Sequence, residues 1–355
     1  MKKSSKEGKL QGSRRVTLAD VAAKAGVDAA TASQVLNDRP NCWASEATRQ
    51  RIRDAAEALD YRPNLAARAL RSGKTGVIGL ISPGFATGSP HSRADGLTDA
   101  ALKADYTVTL SSHPNDSVSE DMVIRRLLDR GVDGLAIYPV DPGPHTELRR
   151  LVASGFPVVT FEGANLLDLE CDDISVDTLA VGRRQARHLL SLGRRRICLA
   201  NTKPMARIVS LREKGIREEL VRAGKMAPIE MLIEGPASHE IEDAETREVA
   251  MKRFLEEHRG EFDGIIGGDQ LASMAIRFLQ EMGVRVPEDV AVIGGGDSIL
   301  ATYGIVPMTS VCAAGDLAGA KAFGLLMDRI SGKCNGSYRR LTNPAKLVVR
   351  KSTQV

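Results

Sequence analysis

The chain is poor in aromatic residues, which make up 4% of its 355, and it holds one tryptophan, Trp43. No run of about 18 uncharged apolar residues occurs, the length a membrane helix needs, so no membrane partner is expected. Lys2, Lys3, Lys6 and Lys9 make a basic start that no apolar segment follows, and export is not expected. The five cysteines (Cys42, Cys171, Cys198, Cys312, Cys334) are odd in number, far apart and never in a CxxC. That pattern fits reduced thiols in a cytoplasmic protein better than a disulfide frame or a zinc site. The six histidines are scattered, with no HExxH and none near a GxSxG, which leaves metal and nucleophilic catalysis without support. The glycine run Gly294-Gly295-Gly296 lacks both the GxGxxG spacing and the acidic residue about 20 positions on that dinucleotide binding needs. The expected protein is therefore not an enzyme, with no catalytic residue, metal ligand or cofactor.

What the sequence does hold is a charge partition. The net charge of +4 conceals an end, residues 1–74, with 15 Lys and Arg against 8 Asp and Glu, while the rest carries 34 against 37. A small basic unit facing a polyanion, joined to a larger and nearly neutral body, follows from that asymmetry. With 43% hydrophobic residues the chain can bury two or three globular cores.

Residues 1–14 lack periodicity and read as a disordered basic arm. Thr17 and Asp20 form a capping-box-like start for a helix over 18–25, carried by Leu18, Val21, Ala22 and Ala25 and stopped by Gly26. Asp28 caps a second helix through Ala32, Val35 and Leu36 to Asn37, and two helices joined by so tight a turn make a helix-turn-helix. Ser45 caps a third, with Thr48, Ile52, Ala55, Ala56 and Leu59 on one face, and Pro63 ends it. In the loop between, Trp43 is expected to cover the three-helix core, with the DNA backbone as the alternative. The stretch from Asn64 to Gly73 is a two-turn helix, marginal unless docked because isolated helices below about 12 residues are unstable.

From Gly76 strand-like runs alternate with amphipathic helices: Val77–Ile81, Tyr106–Leu110, Gly134–Tyr138, Pro157–Phe161, Arg196–Ala200, Ile229–Ile233, Asp263–Ile266 and Val290–Ile293. This is the pattern of βαβ units. Eight strands over this length suit two doubly wound parallel sheets, with a cleft at the carboxyl ends of their strands.

The segments Val16 to Ala22, Ala25-Gly26-Val27, Thr31 to Asn37, Ser45 to Arg49, Tyr61-Arg62-Pro63-Asn64 and Ala69-Leu70-Arg71 resemble the DNA-binding headpiece of the LacI/GalR family of bacterial transcription regulators. The likeness continues through Gly131 to Gly134, Leu189 to Ile197, Arg285 to Val290 and Leu347 to Thr353. It implies an α/β body like the two-lobed periplasmic sugar-binding proteins, behind an all-α headpiece. It also implies a homodimer on a pseudo-palindromic double-stranded operator, acting as a repressor under a small-molecule effector. The expected boundaries are 15–62 for the headpiece, 63–74 for a hinge helix and linker, and 75–355 for the body. The alternatives are a regulator with a vestigial pocket, or a solute-binding protein of the same body fold.

A recognition helix puts its N-terminal residues against base edges in the major groove, here Ala29, Ala30 and, one turn on, Gln34. Alanines offer apolar contact to thymine methyls, Gln34 can bond bidentately to adenine, and Thr31 and Ser33 point toward phosphate. Gln34 stands where the family usually has arginine. The resemblance adds Thr17 and Asn37 as DNA contacts, and Asn64, Ala67 and Leu70 in a hinge helix that folds as a pair in the minor groove, with Leu70 as the wedge.

In the cleft, the resemblance assigns Arg212 to an effector's oxygens and Asp177 to an acidic pocket position, and both groups can make paired hydrogen bonds. Phe85 and Asp297 are expected to contribute from neighbouring strand ends. Gly268, Gly296, Ala237 and Ala313 replace polar or stacking groups usual in the family, so the expected effector is polar and oxygen-rich, a sugar or sugar acid, in an altered pocket. An unpartnered buried guanidinium would be costly, so Arg212 should meet the ligand or an internal carboxylate such as Asp177.

Overall fold

The computed structural model describes residues 16–37, 42–62, 73–84, 89–140, 143–163, 169–203, 207–224, 227–234, 241–334 and 336–354. The basic arm, the hinge residues Asn64, Ala67 and Leu70, and Phe85 and Ala237 lie outside them. The chain divides into two compact units, 1–75 and 76–355.

In the first unit, α1 (Leu18–Ala25) begins with the capping box its sequence encodes. The Thr17 amide and hydroxyl donate to Asp20 Oδ2 at 2.8 and 2.7 Å, and the Asp20 amide donates back to Thr17 Oγ1 at 3.4 Å. Gly26 ends the helix at φ +64°, a left-handed conformation that glycine adopts at least cost. Then α2 (Ala29–Leu36) follows, capped by Asp28, and α3 (Glu46–Ala58), capped by Ser45. Val21, Ala22 and Ala25 from α1, Ala32 and Val35 from α2, and Ile52 and Ala55 from α3 close one small core. Trp43 is not part of it. Cys42 takes the inward place and the indole is 99% exposed, which corrects the expectation of core packing.

The second unit holds two six-stranded sheets, the first ordered β11-β5-β4-β3-β1-β2 and the second β12-β10-β9-β8-β6-β7. The chain builds β1 (Val77–Ser82), α4 (Ser89–Lys103), β2 (Thr107–Ser112), α5 (Ser117–Asp129), β3 (Gly134–Ile137), α6 (Thr146–Ala153), β4 (Val158–Phe161) and β5 (Asp172–Val176) in the first lobe. It then crosses and builds α7 (Thr178–Ser191), β6 (Ile197–Lys203), α8 (Arg207–Arg222), β7 (Ile229–Glu234), α9 (Ile241–Glu257), β8 (Gly264–Gly267), α10 (Asp269–Glu281), β9 (Ala291–Gly295), α11 (Ile299–Tyr303) and β10 (Thr309–Cys312) in the second. It returns with α12 (Gly315–Ile330) and β11 (Arg340–Asn343) to the first lobe and ends with β12 (Lys346–Val348) in the second. All pairings are parallel except β10 with β12.

Four strands exceed the eight expected: β5, β10, β11 and β12. They are short and rich in polar residues, so no apolar run announces them. In β5, Asp172 is wholly buried yet neutralised by Arg329, whose Nε and Nη2 donate to its two oxygens at 2.9 Å. Asp173 accepts from Thr160 Oγ1 at 2.6 Å and from Ser175 Oγ at 2.5 Å.

The crossings occur within two or three residues: 176 to 178, 312 to 315 and 343 to 346. Each begins where a strand ends, so the lobe junction lies at the carboxyl ends of β5, β10 and β11. The Asn343 side-chain amide donates to the carbonyls of Ala313 and Ala314, the latter at 2.8 Å, which ties two crossings together. Among the described residues no helix is long and apolar enough to cross a membrane.

Candidate nucleic-acid interface and effector cleft

On α2, Ala32 and Val35 face the core, while Ala29, Ala30, Gln34 and Asn37 are exposed on the opposite side. The face expected to read base edges is therefore the exposed one, as its periodicity requires. Asp28 accepts the Thr31 amide at 2.8 Å and the Thr31 hydroxyl at 2.6 Å, and these bonds hold its carboxyl below the usual carboxylate range. Thr31 thus spends its hydroxyl proton on the cap. The Asn37 amide donates to the Ser33 carbonyl at 2.6 Å and to Ser33 Oγ at 3.4 Å, closing the helix and leaving the Ser33 hydroxyl proton uncommitted by that contact. Thr17 is exposed at the start of α1, its hydroxyl proton held by Asp20.

In the second lobe, α7 and α8 approach through two glycines. A Cβ on Gly182 would lie 2.0 Å from the Arg212 carbonyl oxygen, and one on Gly215 would lie 2.1 Å from that of Leu179. This close approach carries the Arg212 guanidinium to the carboxyl ends of β8 and β9, where Cβ atoms on Gly295 and Gly268 would stand 3.3 and 4.0 Å from its Nη1. Arg212 Nη2 donates to Asn201 Oδ1 at 3.2 Å, and Asn201 Nδ2 donates to Glu213 Oε2 at 3.2 Å. Surrounding protein pulls the Arg212 pKa below its ordinary value, against the opposing charges of Asp269 and Glu213.

Asp269, buried in the first turn of α10, accepts the Ser310 hydroxyl at 2.7 Å and the Ser298 amide at 2.6 Å, fixing the loop after β9. Gln185 reaches the same ground, its Nε2 donating to the Gly294 carbonyl at 2.7 Å. Asp177, the internal carboxylate offered as one of two partners for Arg212, does not pair with it. It is exposed and caps α7, accepting the Ala180 amide at 2.9 Å, because it sits at the point where the chain enters that helix. Asp297 is held by Arg350 Nη1 at 2.6 Å and so faces the closing segment of the chain.

The first lobe contributes a pair that sequence reasoning missed. At the carboxyl end of β4, Glu162 accepts from Arg93 Nη2 at 2.7 Å and from the Val176 amide at 3.0 Å. Both side chains are buried, and the Arg93 guanidinium lies 5.0 Å from the ring centroids of Tyr138 and Phe161. Burial opposes the Arg93 charge, but Tyr138 and Glu162 overcome it and its pKa is raised. Asn201, Gln185, Asp269, Arg93 and Glu162 carry no local motif; the run of glycines around Gly268 and Gly295 was the one available signal.

A three-helix reading head and a two-lobed body with a charged junction define a DNA-binding regulator of modular type. Residues 17–64 match the model of bacterial regulatory proteins of the lacI family, and residues 186–353 match a periplasmic binding protein-like domain. The HTH-type transcriptional regulator CelR of Thermobifida fusca is 31% identical over 352 residues, covering 96% of this chain and 98% of that protein. MalR of Streptomyces coelicolor is 29% identical over 344 residues, covering 95% and 96%. Among solved structures, a CelR–cellobiose complex matches at 27% identity and TM-score 0.67 over 95% of this chain and 100% of that one. A lac repressor dimer bound to operator and the anti-inducer ONPF matches at 25% identity and TM-score 0.78 over 96% and 100%. The chain belongs to the LacI family of transcriptional regulators.

Proposed function

We propose that this regulator represses transcription as a homodimer on a pseudo-palindromic operator and is controlled by a small oxygen-rich effector, a sugar or sugar acid, anchored by Arg212. The observation that carries the effector reading is the Arg212 guanidinium itself: among the described residues its side-chain hydrogen bond goes to a neutral amide, and the glycines at 268 and 295 leave room beside it. A guanidinium so placed favours a ligand with paired oxygens. The cellobiose complex of a relative supports the sugar class. Asp177 offers its second carboxylate oxygen at the first crossing, and Asp297 acts through Arg350.

Dimerisation follows from the reading head, since one three-helix unit makes too few base contacts for useful specificity. The exposed apolar side chains Leu102, Leu110, Val118 and Met122, on α4, the edge strand β2 and α5, suit a second copy. In the proposed division, 15–62 reads the operator, 63–74 links and inserts Leu70 at its centre, and 75–355 binds effector.

Thermal melts of the full chain with cellobiose, other disaccharides and sugar acids test this. A ligand at about 100 times its Kd adds about 2.7 kcal/mol of stability, a shift that Arg212→Ala abolishes while the protein stays folded and binds DNA. An unchanged ligand shift in that variant removes Arg212 from the site, and no shift with any of these compounds overturns the sugar reading in favour of a vestigial pocket.

A further inference from the structure

Trp43 is the largest apolar side chain a protein can carry and the only tryptophan of this one, yet it is 99% exposed while Cys42 beside it is buried. Its main chain is held on both sides. Arg49, one turn into α3, donates from Nη2 to the Cys42 carbonyl at 2.8 Å and from Nε to the Ala44 carbonyl at 3.1 Å, and Ser45 then caps α3. The indole is thus presented on a fixed pedestal. The pedestal is charged as well: among the described residues no carboxylate pairs with Arg49, so a partly exposed guanidinium stands against the main chain on either side of Trp43.

The location completes the argument. Eight residues of α2 span about 12 Å, the width of the major groove, so chain leaving the carboxyl end of a helix seated there emerges beside a phosphate ridge. Trp43 follows Asn37, the cap of α2, by six residues.

Resting on the reading of this chain as a DNA-binding regulator, we propose that Trp43 is a DNA-backbone contact: its ring packs on deoxyribose, its Nε1–H donates to a phosphate oxygen, and Arg49 positions it and adds positive charge. The contact reads no base, so it strengthens binding to any duplex and sets the headpiece's register.

Because Trp43 is the sole tryptophan, fluorescence excited at the long-wavelength edge, where the five tyrosines do not absorb, reports on this residue alone. The wild-type chain is titrated with a fluorescein-labelled duplex that it has itself selected from a random pool, and with an unselected duplex of equal length. Anisotropy of the label measures binding, and acrylamide quenching measures exposure of the indole. The expected result is strong protection from acrylamide on both duplexes. Trp43→Ala should raise Kd about tenfold on both, the loss of a hydrogen bond to a charged group, with an unchanged melting profile. Trp43→Phe, which keeps the ring and loses the donor, should fall between.

Duplex binding seen by anisotropy with no change in quenching overturns the proposal and leaves the regulator reading intact. Absence of any duplex binding overturns that reading instead. Protection that grows with protein concentration in the absence of DNA overturns the proposal in favour of a contact between two copies.

Discussion

The side-chain amide of Asn343, at the end of β11, donates to the carbonyl oxygen of Ala314, at the start of α12, across the junction of the two lobes. Asn343 also donates to Ala313 and accepts from Lys321 Nζ at 3.3 Å, so one buried residue binds the second and third crossings into a single strap. Asn343→Ala removes the side-chain donor to the half-buried carbonyls of Ala313 and Ala314, the latter keeping the Ala318 amide, at a cost of about 1 kcal/mol. The expected outcome is a lower thermal midpoint for the body and a weaker influence of effector on operator binding; a midpoint equal to wild type would show that the strap adds no stability.

Gly215 controls how near α8 comes to α7, and with it the reach of Arg212. A methyl at this position meets the Leu179 main chain rather than a side chain that can turn away, so relief requires a helix shift. Gly215→Ala should cost about 1–3 kcal/mol and abolish the effector-induced rise in melting temperature, with duplex binding by the headpiece retained. Retention of the full effector response would mean that Arg212 tolerates a displaced α8.

Gln34 and Leu70 should separate two kinds of recognition. Gln34→Ala is expected to weaken binding to the selected operator by about 1–3 kcal/mol and to leave unselected duplex unaffected, since it removes base readout alone. Leu70→Ala should reduce both operator affinity and the bend measured by gel mobility of circularly permuted fragments, because a wedge acts where a base step can be unstacked. Equal losses on unselected duplex would point to damaged folding.

His188 accounts for one acid-sensitive contribution. Its Nε2 lies 2.8 Å from Thr353 Oγ1, and burial alone lowers its pKa from 6.5. The unfolded chain therefore takes up the proton first. This part of the stability is present above pH 6.5 and declines as the pH falls from there toward the lowered native pKa. His188→Gln should flatten that limb of a stability–pH curve, and an identical slope in the variant would remove His188 as its source.

The headpiece was legible because its determinants are local. The Thr17–Asp20 box, the Asp28 and Ser45 caps and Gly26 each act over one turn, and the structure has them as the spacing implies. The junction was not, since its bonds join residues far apart: Gln185 to Gly294, Arg93 to Glu162, Asn343 to Ala314. Strand β5 stayed hidden because its two aspartates imitate a loop until Arg329, Thr160 and Ser175 satisfy them. Trp43 misled because burial is the ordinary fate of an indole, and the neighbouring Cys42 had taken the space.

The order in which the lobes take chain from the polypeptide sets an order of assembly. The second lobe draws its five parallel strands from one uninterrupted stretch, residues 197–312, whereas the first cannot finish until α12 and β11 have been made. The core around Ile78, Leu80 and Phe161 in the first lobe needs Ala318, Ala322, Phe323 and Leu326, which leave a ribosome well after the whole of β1 to β5. A nascent chain thus holds an open-edged first sheet in waiting while the second lobe condenses, and an interruption of synthesis before residue 326 leaves a second lobe short of its edge strand β12 tethered to an uncovered first one.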